Sequence, residues 1–406
     1  MPVTNKTDYD IVIIGGGLVG SALACALGDS DKSVLVLESG SAQFDLPKDY
    51  DLRVSAITHA SANFFKAVGA WEGMRLARMG EVREMQVWDE GGSGSLHLDA
   101  ADTAEPCLAY IIENSVIRTA LYRRLQQLSN VRYLENTKAE LVSVEDGRIN
   151  LESGGNRIST QLVVGADGAR SIVREWAQIE TSGWSFAQTA IVATIKSELS
   201  HEYTAFQRFL QTGPLAFLPL DDMRASSIVW SADTQRALEL LALSDEDFIS
   251  ELETAFENRL GKLALISQRA AFPLSLMHVE HTIAHRIALV GDAAHRVHPL
   301  AGQGLNLGLA DVAALAEVLS NNCADVGARK VLRQYERWRS GDTRLMVKLM
   351  DLFKRTYGTQ QPVVQGLRNF GMDLVNSNGV IKQLITGFAS GEKGDSPTLL
   401  RRHGQV

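Results

Sequence analysis

The sequence predicts an α/β protein in which a parallel-sheet domain is split by an inserted antiparallel β-sheet domain and followed by a helical C-terminal region. Three observations predict it. A strand–turn–helix–strand pattern opens the chain at residues 9–40, with the apolar run Ile11 to Ile14 ahead of a glycine-rich turn. Two more buried-strand patterns end in glycine turns far downstream, at 157–168 and 287–292. Between them, residues 184–232 carry strand patterns in succession, rich in aromatics and poor in helical spacing, as an antiparallel sheet would.

The opening pattern sets the terms for the rest. Its mostly β-branched apolar run reads as a strand buried on both faces. The turn that follows matches G-x-G-x-x-G at Gly15, Gly17 and Gly20. Gly15 permits the tight turn, Gly17 lets a pyrophosphate approach the backbone, and Gly20 lets the helix pack on the strand. The helix covers Leu18 to Leu27, and its N-terminus favours an anion. A second strand, Ser33 to Leu37, ends at Glu38, 18 residues beyond Gly20, where an acid accepts hydrogen bonds from a ribose diol. A carboxylate there would repel a 2′-phosphate. This Rossmann-like unit therefore suits the ADP half of FAD or NAD. A glycine turn without nucleotide is the alternative, and the full order of strand, turn, helix, strand and acid speaks against it.

The remaining elements follow in order. A polar loop leads to Asp51-Leu52-Arg53-Val54-Ser55, and Ala60 to Val68 has helical spacing. Met85 to Trp88 alternates like a strand, and Gly91 to Gly94 is a turn. Asn114 to Leu128 reads as a helix, capped by Asn114 or Ser115, with Val116, Ile117, Leu121, Leu125 and Leu128 on one face. Strands are expected at Val131–Leu134, Glu140–Val144 and Arg157–Val164, then in the inserted sheet at Thr189–Ile195, Ala205–Leu210, Ala216–Leu220 and Ser226–Trp230. Asp245 to Leu260 returns to helical spacing. Ile287 to Val290 is a buried strand leading into Gly291-Asp292, a long helix follows from about Leu305 to Leu319, Val331 to Phe388 is mostly helical, and Ser396 to Val406 reads as frayed. The expected division places 1–75, 106–180 and 283–345 in the nucleotide-binding domain, 76–105 and 181–282 in the antiparallel-sheet domain, and 346–406 in the C-terminal helical region.

Composition narrows the function. A formal net charge of −8 argues against nucleic acid as a partner. Cys25, Cys107 and Cys323 are far apart and form no C-x-x-C, which suits a reducing cytosol and argues against a disulfide frame or zinc knuckle. Asp8 and Asp10 interrupt any signal-like N-terminal layout, and no apolar run is long enough to span a membrane. A cytoplasmic protein with at most peripheral contact at the inner membrane is expected. His278, His281 and His285, like His295 and His298, lack the closed set that a metal would need, so no metal is expected.

Three dispersed motifs, Gly15–Gly20, Gly165–Ser171 and Val290–Asp311, together resemble the fingerprints of class A FAD-dependent aromatic hydroxylases. The likeness extends to Asp51–Ile57, Glu113–Ile117, Phe217–Leu220 and Ala301–Gly308, with Trp88-Asp89 and Ser227–Ser231, which look like the ubiquinone-biosynthesis hydroxylases. The family implies tightly bound FAD, NAD(P)H as a transient electron donor, and hydroxylation of a polyprenylated phenol or quinol ring with O₂ through a flavin C4a-hydroperoxide. It leaves the ring position open, with C5 nearest, and implies membership of a ubiquinone-biosynthesis protein complex. Two other readings remain: a hydroxylase of a soluble aromatic, and a non-catalytic flavoprotein scaffold. Reduced flavin supplies both electrons and activated oxygen, which fits the lack of any Ser-His-Asp or paired-carboxylate signature.

The resemblance implies a cofactor-binding set of Gly15, Gly17, Val19, Gly20, Glu38, Ser39, Arg53, Arg118, Asp167, Asp292, Gly304, Leu305 and Asn306. It places His298, Pro299, Gly302 and Gln303 on a loop facing the flavin and names no catalytic side chain. Each polar member has a plainer reading. Arg53 and Arg118 can be surface cations. Asp167 can cap a turn, and Asp292 the next helix. Trp88, Trp184 and Trp230 read as sheet core rather than catalytic groups. Met346, Leu349, Met350 and Phe353 recur at helical spacing near Lys348, Lys354 and Arg355, as a helix packed on the domain would, or one touching a membrane.

Overall fold

A strand that is apolar on both faces has no side to turn to water, and Ile11–Ile14 accordingly sit at the centre of a sheet. The computed structural model describes residues 6–41, 45–91, 94–103, 105–145, 147–296, 304–320, 324–357 and 396–402. In its first sheet the strands Ile287–Leu289, Asn156–Gly165, Lys6–Ile14, Val34–Leu37 and Val131–Leu134 run parallel in that spatial order. Ile283–Ala284 closes one edge, and Arg148–Ser153 and Glu140–Glu145 add antiparallel pairs. The period of two is visible in the packing. Ile11 and Ile13 join the core made with helices Leu18–Ala26, Asn114–Leu125 and Gly304–Ser320. Val12 and Ile14 join the opposite layer with Leu35, Val163, Val173 and Leu289.

The second sheet is larger and mostly antiparallel. Its order is His295–Arg296, Ala270–Val279, Thr181–Ser197, Ala225–Asp233, Gly213–Pro219, Thr204–Leu210, Glu84–Asp89 and Ser95–Asp99. Leu263–Leu265 pairs beside Thr181–Ser197. Among its described strands only Thr204–Leu210 and Glu84–Asp89 run parallel, which joins two chain segments far apart in sequence. Helices Thr234–Ala242 and Asp245–Ala255 cover this sheet, and Phe256 stacks on Phe217 with ring centroids 3.8 Å apart. Trp88 and Trp230 lie in the same core, whereas Trp184 is only half-buried. A three-stranded sheet is formed by Val54–Ile57, Ala109–Glu113 and Gly80–Val82.

Several expectations need correction. Gly80–Val82 pairs with Ala109–Glu113, so it does not belong with the other strands of 76–105. His295–Arg296 pairs with Ala270–Val279, so the segment 283–345 also contributes to the second sheet. One helix runs unbroken from Arg329 to Tyr357, across the expected boundary at 345, and packs Leu332 and Tyr335 into the first core. Residues 358–388 lie outside the described residues. The helix at Asn114 has Glu113 as its N-cap, with no side-chain bond from that residue. Nor does the C-terminal segment fray over Ser396–Arg402. Leu400 is buried, its carbonyl accepts from Asn63 Nδ2 at 3.4 Å, and Thr398 N–H donates to Glu317 at 2.6 Å. His278 lies in the strand Ala270–Val279.

Candidate functional site

The three motif turns, after Ile14, Val164 and Leu289, lie at the carboxyl ends of the parallel strands, where open α/β sheets hold ligands. Gly15 has φ +100°, and a Cβ there would stand 2.5 Å from the Ala166 carbonyl oxygen. The first turn is thereby pressed against the turn after Asn156–Gly165. A Cβ at Gly20 would overlap the Gly15 carbonyl, which lets the helix sit directly on its own turn. Val19 reaches the third turn: Cβ atoms at Gly291 and Gly308 would meet its methyls at 3.0 and 2.8 Å. Three segments from distant parts of the chain thus close on one another. Within the first turn Gly17 differs from Gly15, Gly16 and Gly20, because nothing lies within 4 Å of where its Cβ would be.

Carboxylates gather around this backbone cleft. Glu38 accepts Gly16 N–H at 2.7 Å and Gly40 N–H at 2.8 Å. Tyr133 donates its hydroxyl to the Gly16 carbonyl at 3.1 Å, and burial, then the charge of Glu38, raises its pKa. Asp167 accepts Ile172 N–H at 2.7 Å at the start of the short helix Ile172–Trp176, whose N-cap is Ser171, while its other oxygen is buried without a partner among the described residues. Asp292 is exposed, in a turn flanked by the buried Gly291 and Ala293.

Two sequence motifs turn out to be one structural unit. Asp51 Oδ2 accepts Ser115 N–H at 2.9 Å, so the cap of helix Asn114–Leu125 comes from a residue 64 positions upstream. Asn114 Oδ1 accepts the Ser55 hydroxyl at 2.8 Å, and Glu113 accepts Asp51 N–H at 2.6 Å. Burial raises the pKa of Glu113, and Arg78 stands 2.8 Å from it as its counter-charge. Arg53, between these anchors, is exposed, with its guanidinium 5.8 Å from the centre of the Phe272 ring on the second sheet. Beneath the third turn, Asp311 binds His295 Nε2 at 2.6 Å, Gly291 N–H at 3.0 Å and Arg339 Nε at 2.8 Å, all buried.

Residues 8–349 match the FAD-binding-domain family. The chain belongs to this family. It is 37% identical to the "Ubiquinone biosynthesis monooxygenase COQ6, mitochondrial" of Xenopus tropicalis, covering 95% of this chain and 94% of the relative. It is equally 37% identical to the "Ubiquinone hydroxylase UbiL" of Rhodospirillum rubrum, covering 99% and 95%. These relatives place the chain in the ubiquinone-biosynthesis group of FAD-dependent aromatic hydroxylases. Among solved structures, p-nitrophenol 4-monooxygenase PnpA from Pseudomonas putida DLL-E4 has the same fold, with a TM-score of 0.76 at 20% identity over 95% of this chain and 98% of that one.

The three turns bring Gly15, Gly17, Val19, Gly20, Glu38, Asp167 and Asp292 to one cleft. Ser39 is exposed beside Glu38, and Arg118 is half-buried on helix Asn114–Leu125, close enough for its charge to act on Tyr133. The side-chain amide of Asn306 is engaged within the protein: Nδ2 donates to the Ala56 carbonyl at 2.7 Å and Oδ1 accepts Thr58 N–H at 3.3 Å. Both ends of its amide tie Gly304–Ser320 to the neighbouring strand and helix. Gly304 and Leu305 open that helix. His298, Pro299, Gly302 and Gln303 lie outside the described residues. Sequence reasoning missed Tyr133, His295, Asp311 and Arg339. Asp311 had a signal, being an acid within an almost wholly apolar helix.

Proposed function

We propose that the chain is an FAD-dependent monooxygenase that hydroxylates the ring of a polyprenylated phenol in ubiquinone biosynthesis, with NAD(P)H as transient electron donor. The observation that carries this reading is the closure of three glycine turns around an open face at Gly17. Nearly full-length likeness to two ubiquinone-pathway enzymes supports the substrate class. Bound FAD supplies the electrons and activated oxygen that no protein side chain can.

The chain's own residues bind and orient. Gly17 leaves room for the pyrophosphate, with Arg53 and Arg118 as its counter-charges. Glu38 exchanges its bond to Gly16 or Gly40 for the ribose diol. Asp292 would accept the ribitol hydroxyls, and Asp167 lies on the neighbouring turn against Gly15. Helix Gly304–Ser320 carries no acid in its first turn, so its N-terminal dipole is free to favour negative charge on the reduced ring.

Contact with an anionic membrane surface or with partner enzymes belongs to the same reading. Lys330, Arg333, Arg337, Arg344 and Lys348 share one exposed face of helix Arg329–Tyr357, beside exposed Leu345. Among the described residues no helix is long and apolar enough to cross a membrane.

The test is turnover. Purified protein with FAD, NAD(P)H and a prenylphenol should yield a product heavier by one oxygen, with the label drawn from isotopic O₂. Label arriving from water overturns the oxygen chemistry. Turnover of short soluble phenols but not of prenylphenol favours the soluble-aromatic alternative. Failure to consume O₂ with any donor favours the scaffold.

A further inference from the structure

Asp292 makes no side-chain hydrogen bond among the described residues, so its own contacts do not set its position. The turn that bears it is held from behind. A single buried carboxylate, Asp311, grips both ends of Gly291–His295: Oδ2 accepts Gly291 N–H at 3.0 Å and meets His295 Nε2 at 2.6 Å. Its other oxygen accepts Arg339 Nε at 2.8 Å, and Arg339 in turn donates to Asp342 at 2.5 Å. One helical turn earlier, Tyr335 donates to the Leu289 carbonyl at 2.7 Å, on the strand that leads into the turn. Gly291 stands at φ +59°, a conformation that glycine adopts readily, with Val19 filling the space where a Cβ would be.

We propose that Asp311 and Arg339 are positioning residues for the FAD cleft, fixing the Gly291–His295 turn so that Asp292 is presented to the cofactor. This rests on the reading of Asp292 given above. Burying ionised groups is costly unless they are mutually paired, and a core that needed only packing would be served as well by apolar residues. The network instead spends its charge on backbone at the cleft. Burial favours neutral His295, yet the Asp311 carboxylate outweighs it and holds the imidazole pKa above its ordinary value. Burial likewise opposes the Asp311 charge, and His295 and Arg339 overcome it and lower that pKa. Through Asp311 and Arg339 the helix Arg329–Tyr357 is bound to the turn.

The experiment is a double-mutant cycle read by FAD titration of apo-protein, with apo-protein melting in parallel. Asp292→Asn should weaken FAD by about tenfold to a hundredfold. Arg339→Met should weaken it by about tenfold, and Arg339→Lys should restore part of that loss. The double variant should bind no more weakly than Asp292→Asn alone, because Arg339 acts through Asp292. Additive losses would overturn the proposal. So would Arg339→Met that melts earlier but binds FAD normally, which is the signature of a purely structural ion pair. Asp292→Asn with wild-type affinity would remove the reading of Asp292 itself and the proposal with it. If Arg339→Met fails to fold, Asp311→Asn enters the same cycle, since its amide oxygen can still accept Gly291 N–H while the charge is lost.

Discussion

The two sheets of this molecule are specified in different ways. At the carboxyl edge of the parallel sheet, backbone meets backbone: Gly20 against the Gly15 carbonyl, and Gly15 against Ala166. In the nine-stranded sheet, ring meets ring: Phe256 lies on Phe217 and contacts Phe206 and Trp88. The first kind of constraint falls on single positions and admits one residue type. The second falls on pairs distant in sequence and can be met by many combinations of similar volume. A motif is what the first kind leaves behind, and an aromatic-rich composition is all that the second leaves.

The sharpest way to break this comparison is Gly20→Val. Its Cβ would overlap the Gly15 carbonyl, and neither the helix nor the turn can yield without releasing Gly15 from Ala166. No folded protein, or a loss of at least about 4 kcal/mol, is expected. Melting of the purified apo-protein checks it, and a near-wild-type midpoint would mean that the close approach is dispensable.

Phe256→Ala tests the other sheet. It empties a fully buried ring site under the stack on Phe217 and should cost about 3–5 kcal/mol. FAD affinity of the folded fraction should not change, because the ring touches none of the glycine turns. If affinity falls in step with stability, the two sheets are coupled and the contrast between them fails.

The same contrast explains how far the sequence could be read. The strand Val131–Leu134 and the helix Gly304–Ser320 lie where their apolar patterns put them, because local periodicity and burial agree. The sheet partners were not legible. Nothing in Glu84–Asp89 announces a parallel partner at Thr204–Leu210, since pairing is decided by closure of the whole sheet. The same limit applied to caps. Asn114 and Ser115 have the right side chains to cap their helix, but Asp51 arrives from elsewhere and does so, leaving Asn114 for Ser55. In the cleft, the glycines were legible as motif positions, whereas the partners of Asp311 were not, because they come from two other segments, the Gly291–His295 turn and the helix Arg329–Tyr357. Asn306 shows the opposite hazard: a residue within a cofactor motif whose side chain is spent on Ala56 and Thr58.

Gly17→Ala carries the smallest expected effect on stability and sharpens the comparison most. Gly17 belongs to the same fingerprint as Gly15 and Gly20, yet its φ of −67° is open to any residue and its Cβ position is empty. Nothing in the protein itself therefore demands glycine. Alanine is a poorer helix N-cap than glycine, so a melting loss of no more than about 1 kcal/mol is expected. A ligand pyrophosphate lying against that face would meet the added methyl, and FAD affinity should fall at least about tenfold, or about 1.4 kcal/mol. Apo-protein melting and FAD titration on one preparation separate the two demands on the motif. Wild-type affinity in Gly17→Ala would mean that the open face is not where the pyrophosphate lies. A large melting loss would mean instead that all three glycines serve the fold.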